Sequence, residues 1–458
     1  MRKTQWGSFS TRSVEPTGAE IDRRDFLRVG SLAALSAPFL VPARVVGKEG
    51  ATAANEKMTL GIIGLGERGN GNMRRFLEMD DVQVIAVCDV AETHRAKAKA
   101  FVDDYYENTS CAAYNDFQEL IARPDLDALV ITVPDHWHVL MGIAAARAGK
   151  HLYYEKPMGV SVEQAQALRQ AVKESKIVFQ FGTQQRSSEP FRIACELARN
   201  QRMGELKTIY VGSPASFPFP AQPEQPVPPG FDYDRWLGPA PLAPYTYHRC
   251  RSYNQKEGYG IWYHIHDYCL GFIVNWGIHH LDIAQWGNGS ELTGPISVEG
   301  HRGEFPTEGL ANNCMKWELE FQYANGVKMI YTDENGRCKH GVRFEGPKGW
   351  VHVTRSEFYS EPESLVKSPI GPNDIQLPRS DDHHRNFVDA VRKGTKVICP
   401  IDVAVKTDMV AQVANIASRL GRKLQWDPEQ EQFIGDDEAN RMLSRPMREP
   451  WTLKAFLG

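Results

Sequence analysis

The chain has 458 residues, of which 42% are apolar and 24% charged, enough for two domains with a sizeable core. A formal net charge of −4 gives no electrostatic reason to expect nucleic acid or an anionic membrane surface as a partner. The eight cysteines contain no C-x-x-C pair, which excludes a zinc ribbon and a thioredoxin-like motif and leaves buried free thiols as the expectation.

The chain begins with a leader. Arg23-Arg24-Asp25-Phe26-Leu27 precedes a weakly apolar run over 29–46, broken by Pro38, Pro42 and Arg44, and small residues follow at 51–54. That run is too interrupted to span a bilayer, which takes about 20 mostly apolar residues. Charged, apolar and small regions in that order read as a cleaved signal of the twin-arginine type occupying 1–54. The expectation is a periplasmic or otherwise exported protein that meets the twin-arginine machinery and keeps no membrane anchor.

A strand over 59–63 then runs into Gly64-Leu65-Gly66-Glu67-Arg68-Gly69 and a helical pattern through 73–79. Further strands are expected at 82–88, 128–133, 151–154 and 177–181, with helices at 91–102, 117–122 and 139–148. Another helix opens at Ser161, where Gln164 completes a capping box. Strands alternating with helices indicate a doubly wound parallel sheet over 55–184. From 185 to 458 the texture changes to an α+β domain on an open antiparallel sheet. A helix is expected at 189–202 and a strand at 206–211, followed by an irregular proline- and aromatic-rich excursion over 213–246. Hairpins follow, 317–323 with 327–332 and 342–345 with 350–353, and a helical tail over 382–420. An exposed face of the second sheet would need covering, which points to a homo-oligomer.

Gly64, Gly66 and Gly69 follow a strand, open a helix, and have Asp89 at the end of the next strand, the context a dinucleotide fingerprint needs. The glycines let the backbone approach the pyrophosphate, and Asp89 would accept the ribose hydroxyls, favouring NAD. Arg68 and Arg95 keep NADP open. Lys156, in Tyr154-Glu155-Lys156-Pro157, lies just past a strand end, where an ammonium beside the nicotinamide can hold a substrate hydroxyl. His279 and His280, with Asn275 upstream and His264 and His266 earlier, offer a general base. The rival readings are a metal site and structural histidines, and no helical His-x-x-x-His pair or carboxylate-rich set supports the metal.

Together the glycine fingerprint, Thr132-Val133-Pro134-Asp135-His136-Trp137-His138, Glu155-Lys156-Pro157 and Gly277-Ile278-His279-His280-Leu281-Asp282 resemble the glucose-fructose oxidoreductase/inositol dehydrogenase/rhizopine-catabolism (Gfo/Idh/MocA) family, over most of 58–451. The resemblance implies a Rossmann domain, an open antiparallel-sheet domain, a tightly held nicotinamide cofactor and a sugar or polyol substrate. It implies Lys156 and His279 as catalytic residues, with Pro134, His138 and Glu155 joining Gly64, Gly66, Arg68, Gly69 and Asp89 at the cofactor. Gln184, Gln185, Arg186 and His280 are implied at the substrate, with no metal. Asn275 falls where many dehydrogenases of the family carry aspartate, and an amide cannot take a proton.

The proposed step is hydride transfer from a carbinol carbon to bound NAD, with His279 taking the hydroxyl proton, Lys156 steadying the alkoxide, and Trp236, Tyr245, Tyr247, Trp262 and Tyr263 as candidate sugar platforms. Three functions stay open: a sugar oxidoreductase that recycles its cofactor, a redox-neutral NAD-dependent glycoside hydrolase, and a non-catalytic sugar- or NAD-binding protein.

Overall fold

The computed structural model describes residues 56–251 and 258–458, so the twin-arginine leader read at 1–54 lies outside the described residues. β1 (Met58–Ile63), β2 (Val82–Cys88), β3 (Ala112–Tyr114), β4 (Ala128–Ile131), β5 (His151–Tyr154) and β6 (Phe179–Phe181) form one parallel sheet in the order β3-β2-β1-β4-β5-β6. Every residue of β4 is buried, as a central parallel strand covered on both faces requires. The chain leaves β1 in one direction and β4 in the other, which opens a crevice at their carboxyl ends. Only β3, three residues long, leaves no readable pattern in the sequence.

The glycine loop is set by contact as well as by conformation. Gly64 has φ of 86°, and a Cβ there would lie 2.0 Å from the Thr132 carbonyl oxygen. A Cβ on Gly69 would lie 1.9 Å from the Gly64 carbonyl oxygen, so this glycine lets the helix Glu67–Leu77 sit directly on the loop. The helix expected from residue 139 starts earlier and spans Asp135–Arg147, which brings Asp135, His136 and His138 into its first turn. At Ser161 the side chain accepts from the Gln164 N–H at 3.3 Å, while Gln164 Oε1 accepts from Val160 N–H at 3.0 Å. The capping box therefore closes one residue further out than the motif suggests.

The second sheet has nine strands. They are β7 (Thr208–Ser213), β8 (Ser297–Glu304), β9 (Lys316–Gln322), β10 (Lys328–Asp333), β11 (Gly341–Gly346), β12 (Gly349–Val353), β13 (Phe358–Glu361), β14 (Lys423–Asp427) and β15 (Gln432–Phe433). Their order is β13-β12-β11-β7-β10-β9-β8-β14-β15, antiparallel throughout except for the parallel pair β7–β10. Both hairpins form as read, around 324–326 and 346–349.

Along β9, Trp317, Leu319 and Phe321 face the core, while Glu318, Glu320 and Gln322 face outward. On that outer face Arg343 stacks 4.4 Å from the Trp350 ring and 5.3 Å from Tyr210, and Lys328 pairs with Glu320 at 2.8 Å. The outer face is thus charged and aromatic rather than an apolar surface that must be covered.

The tail read as helical over 382–420 holds two helices, His383–Lys393 and Ile401–Leu420, because Gly394 turns left-handed and Pro400 starts the second. Phe387 and Val388 of the first return to the core of the parallel sheet. From the second, Asp408 Oδ1 accepts the Met158 N–H at 3.0 Å, two residues beyond Lys156. Burial pushes the Asp408 carboxyl up to about 7. The eight cysteines are free thiols, all buried but the half-buried Cys250.

Candidate active site

A cavity of about 560 Å³ runs from the glycine loop to His279, a size suited to a cofactor and small substrate. Its floor comes from the carboxyl ends of the parallel strands: Gly64 to Gly69 after β1, Asp89 after β2, Thr132 to Asp135 after β4, and Glu155 and Lys156 after β5. The second domain contributes Trp236, Trp262, Tyr263, Asn275, His279 and Arg355.

The glycine end fits a dinucleotide. Gly66 caps the helix Glu67–Leu77 without any side-chain bond, so the first-turn N–H groups stay open to a pyrophosphate. Asp89 accepts the Leu65 N–H at 2.7 Å on Oδ2 and the Ala91 N–H at 2.8 Å on Oδ1, which leaves a lone pair on Oδ1 for a ribose hydroxyl. His94 Nδ1 lies 3.4 Å from the same carboxylate, whose hydrogen bond raises the imidazole pKa. Arg95, which kept a 2′-phosphate open, is committed elsewhere: its Nη1 donates to the Asp89 carbonyl at 2.6 Å and to Asn115 Oδ1 at 3.0 Å. It does not line the cavity.

At the other end three side chains form a line. Lys156 Nζ donates to Asn275 Oδ1 at 2.8 Å and to the Asn275 carbonyl at 3.2 Å. The Asn275 Nδ2 in turn lies 2.9 Å from each oxygen of Asp135, which is 1% exposed. The amide is the middle of a buried carboxylate–amide–ammonium chain, with its acceptor toward the cation and its donor toward the anion. Burial raises the Asp135 carboxyl, opposed by His138 and Lys156, and burial lowers Lys156, opposed by Asp135 and Glu155.

Glu155 is held on the opposite side by Arg68 Nε at 2.6 Å and Asn72 Nδ2 at 3.1 Å. Burial would raise its pKa, but Arg68 and Lys156 outweigh it and hold the carboxyl at about 2. Because that folded value lies below the ordinary 4.5, the carboxylate contributes stability above pH 4.5 that is lost as the pH falls toward 2. Arg68→Met is expected to raise the Glu155 pKa and to move the midpoint of acid unfolding upward, read by circular dichroism; an unmoved midpoint would show the pair contributes nothing.

His279 is the second residue of the helix Ile278–Asn288, where the helix dipole disfavours added positive charge. Burial, with Lys156 and Arg355 nearby, pushes its pKa well below the ordinary range, so the ring is a neutral base. Its buried Nδ1 has no protein partner.

Other residues singled out in the sequence fall in different places. Pro134 and His138 line the cavity, and His138 ties two of its loops together, with Nδ1 2.6 Å from the Pro157 carbonyl and Nε2 2.8 Å from that of Val133. Gln185, Arg186 and His280 do not line it. Arg186 is 2% exposed, gripped by both Asp282 oxygens at 2.6 and 2.8 Å and by Glu291 at 2.9 Å, so its charge is spent inside the fold. His280 Nδ1 meets the Gly212 carbonyl at 2.8 Å, on the sheet side of its helix. Gln185, with its amide oriented to satisfy both ends, donates to the His279 carbonyl at 2.7 Å and accepts from Arg355 Nε at 3.1 Å.

Among the aromatics, Trp236, Trp262 and Tyr263 reach the cavity; Tyr245 instead packs edge-on against Tyr233, and Tyr247 is exposed against His248. His264 packs between Phe217 and Phe272, and His266 meets Asn313 and Arg419, both away from the cavity. Among the described residues no group of three His, Cys, Asp or Glu side chains is placed to hold a metal ion. Sequence reasoning passed over Asp135 and Arg355. Asp135 stood inside the quoted 132–138 motif and could have been found there, whereas Arg355 carried no signal.

A domain model described as "Oxidoreductase family, NAD-binding Rossmann fold" matches residues 58–183, and one described as "Oxidoreductase family, C-terminal alpha/beta domain" matches 218–453. A glycosyl hydrolase family 109 protein of Saccharopolyspora erythraea is 36% identical over 114 residues, 24% of this chain and 25% of that protein. An alpha-N-acetylgalactosaminidase of Shewanella oneidensis is 34% identical over 115 residues, 24% of each chain. The alignment thus spans about a quarter of the length of these two curated relatives. The crystal structure of the WlbA dehydrogenase from Bordetella pertussis, in complex with NADH and UDP-GlcNAcA, is similar in fold, with a TM-score of 0.59 at 14% identity over 81% of this chain and 99% of that one.

Proposed function

The chain belongs to the Gfo/Idh/MocA oxidoreductase family and carries its NAD-binding Rossmann domain, and from that premise we propose that it is a redox-neutral glycoside hydrolase that keeps and reuses its nicotinamide cofactor. The carrying observation is that one cavity holds two separate proton-handling groups. Lys156 is bonded through Asn275 to Asp135, while His279 is a neutral base with no bond to that chain. A simple alcohol oxidation moves one proton and needs one base; an elimination next to the oxidised carbon moves a second. The glycosyl hydrolase names of the relatives point the same way.

The bound cofactor supplies a reversible hydride acceptor. In this reading Lys156, as the neutral amine that burial favours, takes up the sugar hydroxyl proton as the carbinol becomes a ketone, and the ammonium so formed is held by the Asn275–Asp135 chain. His279 removes the proton from the neighbouring carbon, now acidified, and passes it to the departing oxygen, so that the aglycone leaves as its alcohol. Water then adds across the double bond, and the ketone is reduced as Lys156 returns its proton. The sum is glycoside plus water giving sugar plus alcohol, with no net change of cofactor. Asp89 and the tied-down Arg95 support NAD over NADP.

Export by the twin-arginine route belongs to the same proposal, since a cofactor carried out of the cytoplasm must be regenerated within each cycle. The test is a panel of aryl glycosides offered to the purified protein. Aglycone release without build-up of reduced cofactor is expected. Reduced cofactor accumulating without cleavage would replace this reading with the sugar oxidoreductase that the family description favours.

A further inference from the structure

We propose that the sugar this cavity accepts carries a carboxylate, and that Arg355 is the residue that selects it. This deepens the hydrolase reading and rests on it for the identity of the ligand as a sugar.

Arg355 lines the same cavity as Lys156 and His279. It sits in a turn after β12 that Thr354 closes, its Oγ1 accepting the N–H groups of Ser356 at 3.1 Å and Glu357 at 2.8 Å. The guanidinium lies 4.9 Å from the Trp276 ring, and its Nε is held by Gln185, which also holds the His279 carbonyl. Two independent contacts therefore fix the plane of the side chain and link its position to that of His279.

Its two terminal nitrogens make no hydrogen bond or ion pair among the described residues. The other cations around the cavity are committed: Arg68 to Glu155, Lys156 to Asn275, Arg235 to Asp116 and Asp232, and His94 to Asp89. Desolvation of its inner atoms and the neighbouring Arg68 act against the charge on Arg355, opposed by Tyr259 and Glu155. A guanidinium braced at Nε and on its face, with no ion pair at its terminal nitrogens, presents the two parallel donors that a planar carboxylate accepts. Arg355 is exposed overall, so the Gln185 bond at Nε and the Trp276 ring, rather than burial, are what hold the fork toward the cavity.

The test is isothermal titration of the holoprotein with two matched pairs, D-glucuronate against D-glucose and D-galacturonate against D-galactose, and with D-galactose 6-sulfate. At least one uronate is expected to bind roughly tenfold or more tightly than its hexose, a preference that weakens with added salt. Arg355→Met is expected to erase that preference, and Arg355→Lys, which keeps the charge but loses the fork, to retain only part of it. The proposal is overturned if uronate and hexose bind alike in both pairs, if neither uronate binds, if the preference survives Arg355→Met, or if the sulfate outcompetes both uronates. Binding is read without turnover, so failure of glycoside cleavage leaves this assignment standing, and loss of the uronate preference leaves the hydrolase reading standing.

Discussion

Lys156→Ala is expected to lower turnover by about a thousandfold or more while NAD stays bound, because it removes the donor at the reacting oxygen without touching the glycine loop. Aglycone release gives the rate, and nucleotide released on denaturing the variant gives the occupancy. His279→Ala is expected to fall in the same range. Turnover within about tenfold of wild type in either variant would remove that residue from the chemistry. Lys156→Ala also carries a stability signature. It removes one of the charges, beside His138, that hold the Asp135 carboxyl down, so the buried carboxyl is pushed further up. A folded-state carboxyl pKa above the unfolded one adds stability at low pH that is lost as the pH rises through it. The variant's melting temperature should therefore fall further below wild type at about pH 8 than at about pH 5. A deficit independent of pH would mean that Asp135 and Lys156 are not coupled.

The parallel half of the molecule is legible in sequence because its strands are short, continuous apolar runs whose ends are marked by chemistry. Gly64 and Asp89 sit one residue past a strand and Lys156 two, and the doubly wound topology alone brings those ends together. The second sheet is harder to read. β9 alternates cleanly, but β8 reads Ser297–Glu304 with two glycines and little apolar content, and β7 finds its parallel partner β10 more than a hundred residues away. No local pattern encodes such a pairing.

The same limit applies to the site. The resemblance implied Arg186 at the substrate, but a motif cannot reveal that Asp282 and Glu291 fold back to neutralise it. Nor can it reveal that Arg355 arrives from a hairpin on the second sheet to stand beside Trp276. An arginine's role is decided by its counter-ion, and counter-ions are set by tertiary contacts. Asn275 is the sharpest case: by motif it is a lost acid, and by geometry it is a hydrogen-bond relay to the acid at Asp135.

That geometry makes an unexpected prediction for Asn275→Asp, the change that restores the residue many dehydrogenases of the family carry. Motif logic expects improvement, and the structure expects damage. The new carboxylate would take the place of an Nδ2 that lies 2.9 Å from both oxygens of Asp135. Two carboxylates at that separation cannot both ionise, so the pair must share a proton and titrates as a unit.

The shared proton that replaces the Nδ2 donor must be taken up from solvent at neutral pH, which is expected to cost about 2–4 kcal/mol. Part should return as the pH falls and the shared proton again donates across the gap. Turnover should drop by roughly a hundredfold at neutral pH with its optimum displaced toward acid, since the shared proton must be present to orient Lys156. Combining Asn275→Asp with Asp135→Asn exchanges the two groups and keeps one carboxylate and one amide. Calorimetry of the single and double variants then decides the matter: recovery of most of the lost stability in the double variant marks direct coupling. Additive losses, or an Asn275→Asp protein as stable and active as wild type, would show that Asp135 and Asn275 act apart.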